Sequence, residues 1–251
     1  MKLLRYSHML VLILCVHIPG TASAEKSALD WLNALDRNQV MESAKYTAVM
    51  TVHLPSGQER VFKMKGHVVG DQYALMEYLE PPRDAGTRYL RRDDQLWIYF
   101  PRVDRTMLVQ GHMLREGVQG SDMSYEDMTQ SSSWADKYNA TITAETDSTV
   151  EIRMEAKDMT VSYPFREITI DKARNVATRV LNFDASQYPV KEMSVEKIQQ
   201  FGARWFATST MIRSHITVDK WTRFEITGIE FDVPYSEDDF TKAALERTAD
   251  F

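Results

Sequence analysis

The spacing of apolar residues changes once along the chain. Between residues 27 and 42, apolar side chains recur every three to four positions, which is typical of a helix with one buried face. Ser27, with Asp30 three positions later, is a capping-box signature at the start of this segment. The apolar positions are Ala28, Trp31, Leu32 and Leu35. The pattern predicts a helix over residues 27–42.

After this helix the apolar period becomes two, which predicts β-strands through most of the remaining chain. Residues 45–69 are predicted to form a hairpin around the turn Pro55-Ser56-Gly57. Further strands are predicted at residues 72–79, 87–92, 95–100, 105–109, 140–144, 150–156, 166–170, 176–183, 189–198, 204–213, 215–224 and 228–233. The prediction amounts to about a dozen antiparallel strands.

One long segment interrupts the strand pattern. Residues 111–133 contain three glycines and end in a run of three serines, and a short helix is predicted within them at residues 124–128. Because long connections of this kind often serve as lids, we expect the segment to be mobile and to cover a site. A second short helix is predicted near residues 240–245.

The predicted fold class is mainly β, with a few covering helices on a strongly curved antiparallel sheet. A sheet of more than about ten strands curls, closes or is covered, because open flat edges invite aggregation. Neither the Rossmann nor the phosphate-loop glycine spacing occurs in the sequence. We therefore expect one domain at residues 25–251 with a concave pocket, and the pattern leaves open whether the sheet closes.

The first 24 residues have the pattern of a secretory signal peptide. Lys2 and Arg5 precede an apolar run, and Ala22-Ser23-Ala24 is a small-residue cleavage site. Lipidation at Cys15 is the competing interpretation, but that cysteine lies within the apolar run. We expect cleavage after Ala24 and an exported, soluble product.

Removal of the leader changes the composition. The mature chain would keep 28 basic and 36 acidic side chains, a net charge of −8, and would lose the one cysteine. Without a thiol it cannot form disulfides, a thiolate nucleophile, a cysteine-ligated zinc site or an iron–sulfur cluster. The acidic balance also argues against general nucleic-acid binding.

Catalytic and metal-binding patterns are weak. The four mature histidines are far apart in sequence, and no Gly-x-Ser-x-Gly elbow occurs. They are His53, His67, His112 and His215. We predict no catalytic residues, no metal and no cofactor, while a hydrolase whose triad assembles only in space remains an alternative.

Apolar strand residues are the candidates for a binding surface. Twelve methionines remain in the mature chain, and this adaptable side chain suits a surface that accepts flexible ligands. The predicted cavity-lining residues are Met50, Val52, Phe62, Met64, Leu75, Leu90, Trp97, Tyr99, Met107, Ile152, Met154 and Ile168. The alternative is that these residues form an ordinary packed core, which alternation alone does not distinguish.

Seven arginines lie between residues 83 and 115 of this acidic chain. As a functional patch they would contact lipid phosphates or an acidic partner. The alternative is the solvated face of a strand meander. The four predicted to contact a headgroup or partner are Arg91, Arg92, Arg102 and Arg105.

Three features between Arg88 and Met128 resemble the LolA-like outer-membrane lipoprotein-sorting protein family. They are the strand pair around Asp93-Asp94 that ends in LWIYFP, the basic stretch after it, and the run GSDMSYEDM from Gly120. A looser resemblance extends through most of the mature chain. It implies a periplasmic, incomplete β-barrel with helices over its concave side and a hydrophobic cavity for acyl chains of lipoproteins or lipids. The branch also resembles proteins associated with transporters of the resistance-nodulation-division type.

Two functions therefore compete. The first is a non-enzymatic periplasmic carrier or chaperone that moves lipoproteins or lipids towards the outer membrane, with transient membrane contact. The second is an accessory subunit of a resistance-nodulation-division type transport complex whose interior is filled by its own side chains. An apolar void of several hundred Å3 would favour the carrier, since ligand pockets measure about 300–1,000 Å3.

Overall fold

The computed structural model describes residues 26–129 and 134–247. The predicted leader, its cleavage site and the serine run at residues 131–133 lie outside this range. The strands are β1 Met41–His53, β2 Glu59–Gly70, β3 Tyr73–Glu80, β4 Arg88–Arg92, β5 Gln95–Phe100, β6 Arg105–Val109, β7 Tyr138–Glu145, β8 Thr149–Ala156, β9 Phe165–Asp171, β10 Val176–Phe183, β11 Pro189–Phe201, β12 Arg204–Ser214 and β13 Trp221–Phe231. The α-helices are α1 Ala28–Gln39, α2 Tyr125–Thr129, α3 Trp134–Lys137 and α4 Lys242–Glu246, and short 3-10 helices occur at Gly111–Arg115, Val118–Gly120 and Glu237–Asp239.

All thirteen strands form one antiparallel sheet in the order β6-β5-β4-β3-β2-β1-β13-β12-β11-β10-β9-β8-β7. Two meanders, β1–β6 and β7–β13, are joined where β1 pairs with β13, from Ala44 opposite Phe231 to His53 opposite Trp221. The edge strands are β6 and β7, so the curved sheet is not closed. The predicted fold class is confirmed. None of the helices in the described residues is both long and apolar enough to cross a membrane.

The prediction of separate strands at residues 215–224 and 228–233 is wrong. The structure has one strand there, β13, and residues 215–220 form the loop that precedes it. The Ser214 hydroxyl accepts hydrogen bonds from the backbone N–H groups of Ile216 (3.1 Å) and Thr217 (2.9 Å), which turns the chain at this point. Gly228 does not end the strand, because the pairing absorbs it at a register shift beside Thr47.

The predicted first helix is confirmed, and it ends three residues early. The Ser27 hydroxyl accepts a hydrogen bond from the backbone N–H of Asp30 (3.2 Å), and the Asp30 carboxylate accepts one from the backbone N–H of Ser27 (2.9 Å), which completes the capping box. Val40 has extended dihedral angles and leads directly into β1.

The two faces of the sheet have different covers. On the face called the inner face here, α1 packs over β7–β10, and residues 111–129, called the cover segment, pack over β1–β5. On the opposite, outer face, Phe240 and Leu245 of the C-terminal segment pack over β3–β5. The space between the two inner-face covers is where a cavity forms.

A cavity on the inner face and the segment that covers it

A cavity of about 370 Å3 lies on the inner face, between α1, α2, α3 and strands β10–β13. Most of its wall is apolar. The lining residues are Asn38, Gln39, Met41, Asp127, Trp134, Arg166, Val176, Ala177, Val180, Met193, Val195, Trp205, Phe206, Ala207, Thr210 and Ile226. Such a wall, with a few polar groups, is typical of a small-molecule site.

The strand sequences explain why space remains here. Met193 and Val195 are the half-buried apolar residues of the inner face on β11, a strand whose other residues are mostly polar. Ala177 of β10 leaves room that a larger side chain would fill. One end of the cavity is closed by Asn38, whose side-chain amide donates hydrogen bonds to the carbonyls of Asn175 (3.1 Å) and Trp205 (2.8 Å).

A buried arginine forms part of the cavity wall. Arg166 is only 4% exposed, and its guanidinium lies 5.1–5.3 Å from the ring centres of Trp134, Tyr138 and Tyr163. Its Nε donates a 2.9 Å hydrogen bond to the Tyr138 hydroxyl. Aromatic faces stabilise a buried guanidinium through cation–π contact, so this cluster fixes the wall near α3.

An ion pair ties the cover segment to the sheet at the cavity. Lys191 Nζ lies 2.6 Å from Asp127 Oδ2, and it also donates a hydrogen bond to the Tyr163 hydroxyl. Burial lowers the pKa of Lys191, but the charges and hydrogen bonds of Asp127 and Tyr163 outweigh burial and leave this pKa above its ordinary value. The lysine is therefore held charged.

The sequence run GSDMSYEDM from Gly120 to Met128 attaches the cover segment to the rest of the protein. Asp122 bonds to Thr222 of β13, and Glu126 accepts a hydrogen bond from the Ser162 hydroxyl. The Ser124 backbone N–H donates to Asp127 (2.8 Å), which caps α2. With the Asp127 ion pair, these contacts anchor the run to β13, to the loop between β8 and β9, and to β11. The polar residues of the run thus hold the cover in place.

A second, smaller cavity of about 180 Å3 lies at the start of β1. Its lining residues are Gln39, Val40, Met41, Val68, Gly70, Asp71 and Arg91. Because Gln39 and Met41 also line the main cavity, the two cavities are neighbours. Burial lowers the pKa of Arg91, and the nearby charge of Asp71 opposes this shift.

The structure places eleven of the twelve predicted lining residues in three packed clusters. Met50, Val52, Phe62 and Met64 pack together under the cover segment, and Ile152, Met154 and Ile168 pack under α1. Leu75, Leu90, Trp97 and Tyr99 pack on the outer face with the C-terminal segment. The half-buried Met107 of β6 lies outside these clusters and pairs with Ile98 of β5. None of the twelve lines the 370 Å3 cavity. Their contact with cargo stays a prediction.

The residues that do line the cavity were not predicted from the sequence. They follow the same alternation as the packed residues on neighbouring strands, and only the gap between α1 and the cover segment distinguishes them. One signal was available on β11, where Met193 and Val195 are apolar inner-face residues on a strand whose other residues are mostly polar.

The four predicted contact arginines are divided between the faces. Arg91 is 7% exposed and shares the inner face with Tyr89, whereas Arg92 points to the outer face near the Tyr73 ring. The Arg92, Arg102 and Arg105 side chains are exposed. Of the four, only these three are directly accessible to a membrane or partner. Arg92 pairs with Gln95 at the start of β5, and Arg105 pairs with Phe100 at its other end.

Comparisons with known proteins identify a family model that matches the chain and solved structures with a similar fold. A family model described as "Uncharacterized protein" matches residues 70–247. No curated protein matches the sequence. The chain is similar to a crystal structure of a domain assigned to outer membrane lipoprotein-sorting proteins from Vibrio parahaemolyticus, with 20% identity, a TM-score of 0.77, and 88% of this chain and 98% of that chain covered.

Two further crystal structures have the same fold. A DUF1329 family protein from Desulfovibrio piger is 18% identical, with a TM-score of 0.80 and coverage of 87% of this chain and 97% of that chain. A LolA superfamily protein from Nitrosomonas europaea is 12% identical, with a TM-score of 0.73 and coverage of 87% and 99% respectively. The chain therefore belongs to the family that the matching model describes, and its fold is that of the LolA-like outer-membrane lipoprotein-sorting domains, as the sequence resemblance predicted.

Proposed function

We propose that this protein is a non-enzymatic periplasmic carrier that binds acyl chains of lipoproteins or lipids in the inner-face cavity and moves them towards the outer membrane. The cavity is the observation that supports the proposal. Its volume of about 370 Å3 falls within the range of ligand sites, and its wall is largely apolar. The proposal includes export by a signal peptide that is cleaved after Ala24.

The energetics of transfer explain why such a cavity is needed. Each methylene removed from water contributes about 0.8 kcal/mol, so a sixteen-carbon chain in water would cost on the order of 13 kcal/mol. An acyl chain therefore needs an apolar compartment to cross the space between membranes. The half-buried Met193 side chain provides an adaptable part of the wall, and the small Ala177 side chain leaves space beside it.

Release would follow from the way the cavity is covered. The cover segment is held over the inner face by apolar packing and by a few polar contacts, among them Asp122–Thr222 and Asp127–Lys191. Displacing this segment would open the wall that α2 forms without breaking the strand pairs of the sheet. We assign the exposed side chains of Arg92, Arg102 and Arg105 to contacts with lipid headgroups or with an inner-membrane transporter of the resistance-nodulation-division type.

Filling the cavity tests the proposal. Ala177→Trp places an indole in the cavity, whereas Ala173→Trp adds the same side chain to the exposed β9–β10 turn. We expect the wild type and Ala173→Trp to bind a fluorescent hexadecanoyl probe, and Ala177→Trp to bind it at least tenfold more weakly. Mass spectrometry of solvent extracts from the purified proteins should show the same order of co-purified lipid.

The opposite result would favour the accessory subunit. If the wild type neither takes up the probe nor carries extractable lipid, the protein is not an acyl carrier. Equal binding by both tryptophan variants would move the acyl site away from this cavity. Circular dichroism and thermal unfolding of both variants would verify that each is folded.

A further inference from the structure

The buried Arg91 guanidinium is a charge without a direct partner. Its Nε has no hydrogen-bond partner, and none of the ion pairs within the described residues includes Arg91. A buried cation is ordinarily paired, because removal from water is costly. The side chain is 7% exposed and lines the 180 Å3 cavity beside the acyl cavity.

The surroundings of Arg91 are suited to a small polar group. Val40, Met41 and Val68 supply apolar walls, and Gly70 contributes no side chain. A Cβ placed on Gly70 would have no neighbour within 4 Å, so the space is open there. Asp71 lines the same cavity and acts on Arg91 through its charge.

We propose that Arg91 binds the anionic group, a carboxylate or a phosphate, of an amphiphile whose acyl chain occupies the neighbouring inner-face cavity. This inference rests on the proposed function and adds the chemical class of the ligand. Arginine presents a planar set of donors that matches both anions, and such charge-assisted bonds are strong in a partly dry site. Gln39 and Met41 line both cavities and mark where the ligand would pass from one to the other.

Matched pairs of ligands test the assignment. The probes are a pyrene-labelled hexadecanoic acid and its methyl ester, which differ only in charge, and phosphatidylglycerol with its matching diacylglycerol, which differ in the phosphate. Wild-type protein should bind the charged member of at least one pair about tenfold more tightly. Which pair shows the preference distinguishes a carboxylate from a phosphate ligand.

Arg91→Met should abolish this preference and leave binding of the neutral probes unchanged. Arg213→Met, at an exposed position of β12 in the other half of the sheet, is the control and should keep the preference. Arg91→Lys should retain part of the preference for charged probes. Asp71→Asn should strengthen that preference, because it removes a carboxylate that competes with the ligand for Arg91. These two variants keep the test decisive if Arg91→Met does not fold.

Two results would overturn the inference. The first is equal binding of charged and neutral probes by the wild type. The second is a preference for charged probes that survives in Arg91→Met. If that variant does not fold, the second result is instead an unchanged preference in both Arg91→Lys and Asp71→Asn. In either case the proposed acyl carrier would still stand if the neutral probes bind. If no probe binds, the carrier function itself fails, and the headgroup assignment fails with it.

Discussion

Thr222 and Asp122, one hundred residues apart, form two hydrogen bonds with each other. The Thr222 hydroxyl accepts from the backbone N–H of Asp122 and donates to its carboxylate, each at 2.9 Å. Both residues are buried, and Lys220 lies 3.4 Å from the same carboxylate. This contact attaches the cover segment to β13.

Thr222→Val keeps the side-chain shape and removes both bonds. Because the Asp122 carboxylate and backbone N–H would then lack these partners in a buried site, we expect a loss of about 1–3 kcal/mol in the free energy of unfolding. Urea unfolding would measure it. Thr227→Val, which removes an exposed threonine–threonine bond to Thr47, is the control and should change stability by less than about 0.5 kcal/mol. Equal effects would contradict the role of Thr222.

Lys191→Met should destabilise the protein much more than Lys197→Met on the same strand. Lys191 and its partner Asp127 are 11% and 18% exposed, whereas Lys197 and its partner Glu225 are 66% and 34% exposed. We expect losses of up to about 3–5 kcal/mol for the first variant and about 0–1 kcal/mol for the second. Hydrogen exchange should show faster opening of α2 in Lys191→Met only.

The Lys191 ion pair also has a pH signature. Its pKa is raised in the folded protein, so the stability it contributes is fully present below the unfolded lysine value of about 10.4. It is lost as the pH rises through the folded value. As the pH rises above about 10.4, the wild type should therefore lose more stability than Lys191→Met, and parallel curves would contradict this.

His67 should make the protein less stable in mild acid. Burial on the outer face, against the Tyr235 ring, lowers its pKa to about 4, with smaller contributions of the same sign from Lys65 and Lys45 and an opposing one from Asp239. Unfolded chains take up the proton first, near pH 6.5. The free energy of unfolding should thus fall by up to about 3 kcal/mol as the pH drops from about 6.5 to about 4.

Urea unfolding across that pH window measures the effect. His67→Gln should lose this part of the pH dependence, while the exposed His112→Gln should keep it. If wild type and His67→Gln have the same slope, the buried histidine is not the source of the acid sensitivity.

Docking of the C-terminal segment, residues 240–247, on the outer face should depend on Leu245 and Arg88. Leu245 is fully buried, and the Arg88 guanidinium donates hydrogen bonds to the carbonyls of Leu245 (2.9 Å) and Arg247 (2.6 Å). Leu245→Ala should cost about 2–5 kcal/mol and expose residues 240–247 to limited proteolysis. The exposed Ala243→Ser should leave proteolysis unchanged. Resistance of both variants would show that the segment is held by other contacts.

The exposed arginines should contribute to membrane contact. We expect the triple change of Arg92, Arg102 and Arg105 to Ser to leave the fold intact and weaken binding to phosphatidylglycerol vesicles by tenfold or more, at about 1 kcal/mol per arginine. The control removes the same charge from the other half of the sheet, at Arg174, Arg179 and Arg213. Equal weakening by the two triple variants would reduce the patch to general surface charge.

Local sequence patterns were sufficient to predict most of the fold. They were not sufficient to predict which residues line the cavity. The Ser27–Asp30 capping box and the period of two depend on neighbouring residues, which the sequence shows directly. Val195 at the cavity and Ile152 under α1 both occupy apolar positions that alternate with polar ones, and only the element lying across from each separates cavity from core.

Two neighbouring arginines make the same point. Alternation places Arg91 and Arg92 on opposite faces, but it does not say that α1 and β1 bury only the first. Likewise, Trp97 and Ile98 are equally apolar and face different covers, the C-terminal segment and the cover segment. Long-range packing decides these cases.

The junction between β1 and β13 also determines the order in which the sheet can be completed. Because the N-terminal part of the chain emerges first, each meander can pair strand by strand, but the free edge of β1 has no partner until residues 221–231 are available. A nascent or truncated chain that lacks this stretch has two half-sheets with exposed backbone edges and no shared strand pair. Late synthesis of β13 therefore delays full assembly until most of the polypeptide has been made, a stage at which holding chaperones would be most needed.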